Sequence, residues 1–83
     1  MKNRLKAERR KNMCPIAVMS EGREVTVSRI AGGGECTRRL SELGLVPGAR
    51  VQVVQNGGGP ILLRVGEARF ALGQGMAQKV FVD

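Results

Sequence analysis

A chain of 83 residues has room for a single small domain, and at that size only about 60% of the unfolded surface is buried, which leaves a stability margin of a few kcal/mol. The chain has no histidine, and its two cysteines, Cys14 and Cys36, form no Cys-x-x-Cys pair, which excludes zinc-finger spacing and imidazole-based catalysis. The formal charge of +7 suggests a nucleic acid or acidic membrane as partner, but residues 1–13 carry +5 of it and residues 14–83 only +2.

The leader, residues 1–13, holds Lys2, Arg4, Lys6, Arg9, Arg10 and Lys11 against Glu8, with Leu5 and Ala7 its only apolar residues apart from methionine. It cannot bury a face of its own and reads as a disordered, solvated tail; Met13 is a candidate alternative start. No secretory signal precedes the cysteines, so a cytoplasmic location with reduced thiols is expected, a Cys14–Cys36 disulfide being the alternative. The apolar run Cys14–Met19 is too short to cross a bilayer of about 30 Å.

From Ile16 onward short β-like runs alternate with glycine clusters. Val25 and Val27 against Thr26 and Ser28 give a first strand over about 23–31, with Ile30 out of phase and so beyond a bulge. Gly32-Gly33-Gly34 is a loop. Cys36, Leu40 and Leu43 then fall at i, i+4 and i+7, one face of a short helix that Gly44 can end in the left-handed conformation. Glu35/Arg39 and Arg38/Glu42 are i,i+4 pairs of opposite sign, worth about 0.2–0.5 kcal/mol each.

Pro47-Gly48 signals a type II turn. Val51 and Val53 mark a second strand, residues 56–60 a hairpin loop, and 61–65 a third strand. Gly66-Glu67 turns into a fourth strand with Ala68, Phe70 and Leu72 on one face. Residues 73–77 read as a final helical turn, and Val80 with Val82 close a fifth strand. Five short strands with tight turns predict a mainly β fold, a small SH3-like barrel that pairs its own edges, with a short helix between strands one and two. An OB-fold is the nearest competitor, but its helix normally lies between strands three and four.

The stretch Arg39-Leu40-Ser41-Glu42-Leu43-Gly44-Leu45-Val46-Pro47-Gly48, followed by Val51 and Val53, resembles the hallmark of the FeoA domain. Ile16, Met19, Gly22, Val25 and Ile30 upstream, and Gly59-Pro60, Val65, Ala71-Leu72, Ala77 and Val82 downstream, extend the likeness over residues 16–83. The resemblance implies a non-enzymatic bacterial accessory of ferrous-iron uptake that associates with FeoB, a membrane transporter with a cytoplasmic GTP-binding domain. A similar domain ends the metal-dependent repressors of the diphtheria-toxin repressor type, where it is an internal interaction module.

The predicted partner-binding surface is the helix and the turn after it. Arg38, Arg39 and Glu42 supply charge, Leu45, Val46 and Pro47 supply exposed apolar contact, and Leu40 and Leu43 support them from beneath. The competing reading has Leu45 and Val46 closing the barrel. No catalytic residue, cofactor or metal site is expected. Cys36 lacks a base and its phase places it in the core. The acids Glu21, Glu24, Glu35, Glu42, Glu67 and Asp83 show no ligand spacing, so metal-ion contact would be weak. The glycine run before the helix lacks the lysine of a phosphate loop and is followed by Glu35. The alternative function is a basic SH3-like module that binds nucleic acid or associates with itself, although Phe70 and Phe81, the only aromatics, are expected in the core rather than stacked on bases.

Overall fold

Alternating apolar residues build the sheet. The computed structural model describes residues 13–83; of the predicted leader, residues 1–12 lie outside the described residues. In chain order the elements are β1 (Cys14–Pro15), a 3₁₀ turn (Ile16–Val18), β2 (Glu24–Ile30), α1 (Gly34–Glu42), β3 (Arg50–Gln55), β4 (Ile61–Val65), β5 (Ala68–Leu72), α2 (Gln74–Ala77) and β6 (Val80–Val82). The predicted helix thus lies where expected, between the first and second of the predicted strands.

The strands form one antiparallel sheet in the order β1-β6-β2-β3-β4-β5. Six strands replace the predicted five. The addition is β1, whose Cys14 and Pro15 face Val82 and Phe81; two residues carry no readable period, and Pro15 is tolerated because β1 is an edge. The edges do not pair with each other, since β1 and β5 end the order. This corrects the expectation of a barrel that closes on itself.

Inward positions converge on one core. Ile16, Val25, Val27, Leu40, Leu45, Val51, Val53, Ile61, Leu63, Leu72, Ala77, Val80 and Val82 are buried, and among the described residues no polar or charged residue is. All 13 come from the sheet, the two helices, the 3₁₀ turn and the residue just past Gly44. No helix is long and apolar enough to cross a membrane among the described residues.

Two features shape this sheet. The first half of β2 pairs with β3 (Glu24 opposite Gln52, Val25 opposite Val51, Thr26 opposite Arg50), and its second half pairs with β6 (Val27 opposite Val82, then Arg29 opposite Phe81). The register slips between Val27 and Arg29, which is the bulge expected from the phase of Ile30; an extra residue there bends and twists the strand. The second feature is Asn56, just after β3. Its side-chain amide donates to Ala17 O (3.0 Å) and Met19 O (2.8 Å), and its backbone N–H donates to Glu21 Oε2 (2.8 Å). The hairpin loop is thereby tied to the 3₁₀ turn on the far side of the sequence.

Replacing Asn56 with alanine strands two partly buried carbonyls, and we expect a loss of about 1–3 kcal/mol, read as a lower urea midpoint with an unchanged m value. Glu21→Gln keeps an acceptor oxygen for the Asn56 N–H and should shift the midpoint far less.

Candidate functional site

The candidate surface is set by how α1 begins and ends. Gly33 is its N-cap, without a side-chain cap, and Glu35 sits in the first turn, where a negative charge is favoured by the helix dipole. Gly32 has a packing role, because a Cβ there would lie 2.8 Å from Cys36 Sγ. Along the helix the predicted apolar face splits. Leu40 is fully buried, Cys36 is half-buried and Leu43 is 39% exposed. Cys36 packs against the core from its margin, whereas Leu43 as an underlying support does not hold.

The reason lies in the helix terminus. Gly44 takes a φ of +89°, its N–H donates to Ser41 O (2.9 Å), and Leu45 N–H donates to Leu40 O (2.9 Å). This is the Schellman arrangement, which folds the residue after the glycine back onto the last helical turn and brings the two apolar side chains together. Leu45 and Leu40 are both fully buried. The prediction of Leu45 as an exposed contact is therefore corrected, and the competing reading holds for Leu45 alone. Val46 is 40% exposed and Pro47 is exposed. The reversal of chain direction places Leu43, rather than Leu45, among the solvent-facing apolar groups.

The next turn is fixed equally well. Ala49 N–H donates to Val46 O (2.9 Å), Pro47 and Gly48 occupy the central positions, and Gly48 has a φ of +93°, as a type II turn requires. Gly48 N–H donates to Val27 O (2.8 Å) and Val27 N–H donates to Ala49 O (2.9 Å), so the turn is anchored at the β2 bulge. Exposed apolar groups thus stand on a rigid support.

Of the predicted charges, Arg38 and Glu42 meet, Nη1 to Oε2, at 3.5 Å with both side chains largely exposed. An ion pair so placed contributes about 0.3–0.5 kcal/mol. The predicted Glu35–Arg39 pair does not form. Arg39 instead lines, with Glu35, Cys36 and Met76, an open pocket of about 350 Å³, in which Cys36 Sγ donates to Met76 Sδ at 3.6 Å. Of the predicted residues Arg38, Arg39, Glu42, Val46 and Pro47 are exposed, and Leu43, expected underneath, is exposed with them. Among the described residues no group of three or more His, Cys, Asp or Glu is placed to hold a metal ion. The aromatics are half-buried rather than fully in the core: Phe70 packs on the core edge, and the guanidinium of Arg29 lies 5.1 Å from the Phe81 ring centroid.

Leu45→Ala should cost about 2–5 kcal/mol, the range for a fully buried leucine, whereas Leu43→Ala should cost less than about 1 kcal/mol. Gly44→Ala combines a positive φ with a Cβ 3.2 Å from Val65 Cγ1, and its loss should exceed about 1 kcal/mol. Chemical denaturation of the three variants checks all of this, and equal losses for Leu43 and Leu45 would contradict the helix-end geometry.

Comparison with known proteins gives a consistent picture. Residues 14–83 match the model of the FeoA domain. An Fe(2+) transport protein A of Methanocaldococcus jannaschii is 34% identical over 71 residues, covering 86% of this chain and 87% of that protein. The crystal structure of an iron uptake regulatory protein, FeoA, superposes with a TM-score of 0.81 at 39% identity, over 84% of this chain and 95% of the other. A third, FeoA of Stenotrophomonas maltophilia in complex with zinc, gives a TM-score of 0.73 at 34% identity over 82% and 87% of the two chains, and is described as a prokaryotic SH3 domain protein and a candidate ferrous-iron transport activating factor. The fold is therefore SH3-like, as the strand pattern predicted.

Proposed function

As this chain belongs to the FeoA family, we propose that it serves ferrous-iron uptake as a non-enzymatic accessory whose helix-and-turn surface docks onto the cytoplasmic GTP-binding part of a FeoB-type transporter. The observation that carries this reading is the cluster of exposed apolar residues at the end of α1. Leu43 and Val46 are 39% and 40% exposed, Pro47 is exposed beside them in sequence, and Arg38, Arg39 and Glu42 supply charge from the helix. Apolar groups held in water by a fixed backbone, next in sequence to a helix that carries exposed charges, have the anatomy of an interface.

The chemistry supports recognition over catalysis. The chain has no histidine, and Cys36, the thiol that faces a pocket, has Met76, Glu35 and Arg39 around it and no imidazole to activate it. Nucleic-acid binding gains little support from the domain. Its net charge is small, its two phenylalanines are both half-buried, and the Arg29 guanidinium lies over the Phe81 ring.

Titrating the labelled full chain with the GTP-binding part of a FeoB-type transporter should shift amides within residues 38–48. Val46→Glu should weaken binding about tenfold or more while leaving the melting temperature unchanged, since the side chain lies outside the core. Shifts confined to other residues, or unchanged affinity of Val46→Glu, would refute the assignment.

A further inference from the structure

The second candidate interface is the outer edge of β5, and it does not depend on the helix-and-turn reading. A two-residue turn, Gly66-Glu67, joins β4 to β5, with Val65 opposite Ala68, Leu63 opposite Phe70 and Ile61 opposite Leu72. In a hairpin of this kind the residues flanking the turn form a hydrogen-bonded pair, and the alternation that follows points the N–H and C=O of Arg69 and Ala71 away from β4. β5 ends the strand order, both residues are exposed, and among the described residues neither makes a backbone hydrogen bond to any other element. A strand edge of this kind is a template for one more strand.

Charge along the same edge selects what that strand can be. Register places Glu24, Gln52, Arg64 and Arg69 in one row across β2 to β5 on the exposed face. Glu24 is already paired with Arg50 at 2.8 Å. The row therefore ends in two arginines directly opposite each other, in a non-hydrogen-bonded pair where side chains lie closest, an arrangement that costs about 0.2–1 kcal/mol. Among the described residues no carboxylate lies within ion-pair distance of either; Arg64 Nε donates instead to Gly66 O at 3.1 Å. The next position of the row is the one an added strand would fill. A carboxylate there would offset the repulsion, and on the opposite face half-buried Phe70 offers apolar contact to the alternate residues.

The geometry points to strand addition: β5 takes up an extended acidic segment of a partner protein, its carboxylates on every second residue facing Arg64 and Arg69 and its apolar residues lying toward Phe70. A second copy of this chain fits the edge poorly, because pairing β5 with itself would bring four arginines onto adjoining strands. The same arginines discourage neutral or basic strands, as edge charges generally do.

The test is amide shift and hydrogen exchange on the labelled full chain, titrated with a blocked peptide of alternating glutamate and valine, and separately with one of alternating lysine and valine. The acidic peptide should shift the amides of residues 68–72 saturably, slow exchange at Arg69 and Ala71, and bind more weakly as salt is raised. The double variant Arg64→Glu/Arg69→Glu should bind it about tenfold less tightly and gain affinity for the lysine peptide. Ala71→Pro removes an outward N–H without touching the β4 ladder and should abolish the exchange protection; if that variant misfolds, the arginine variant still decides. Shifts that avoid residues 68–72, equal binding of both peptides, or sedimentation showing that copies of the chain occupy the edge would each overturn the proposal.

Discussion

The backbone of Val27 joins two strands and the turn that leads into a third. Its N–H donates to Ala49 O, its C=O accepts from Gly48 N–H, and the residue faces Val82 across β6. The bulge that follows is what makes this possible. A flat β2 would keep its neighbours in one plane, whereas the slip between Val27 and Arg29 lets β2 serve β3 with one half and β6 with the other. The turn after α1 is anchored to the same residue, so the surface formed by Val46 and Pro47 is oriented by the sheet as well as by the helix that precedes it.

The helix end divides four consecutive residues, Leu43 to Val46, between core and solvent. Gly44 carries the positive φ, Leu45 returns to Leu40, and Leu43 and Val46 on either side are left partly in water. A chain that needed only to close its core would gain from burying them as well. Their exposure follows from a terminus with two hydrogen bonds and a turn with one, each of which fixes a direction before packing can choose it. The result is a small apolar patch on a support with little freedom, which suits recognition of another surface.

Most of the sheet was legible because β2, β3, β4 and β6 repeat their apolar residues with period two: Val25 and Val27, Val51 and Val53, Ile61 and Leu63, Val80 and Val82. β1 was not, because Cys14 and Pro15 are too few to show a period and pair with residues 81–82 at the other end of the domain. The division of the candidate surface was half legible. The glycine at the helix end was visible in the sequence, and the Schellman rule that accompanies it, an apolar contact between the residue after the glycine and the last buried turn, places Leu45 inside; periodicity alone assigns Leu43 to that role and fails because the helix stops at Glu42. Cys36 has the phase of a core residue but lies at the margin, beside Met76, a neighbour 40 positions away that no local pattern reveals. The arginine pair of β4 and β5 depends on register, which single-strand patterns do not contain.

β6 has three residues, yet it lies between β1 and β2 and contributes two of the core valines. The β3–β4–β5 meander needs only short loops to close, so it can assemble early, while β1 and the second half of β2 wait for a partner that follows every other element in the chain. During synthesis, which runs in the same direction, the nascent domain would therefore stand as a partial sheet with an unsatisfied flank until Val80 to Val82 emerge. That interval is when a chaperone or a neighbouring nascent chain has most access to its interior.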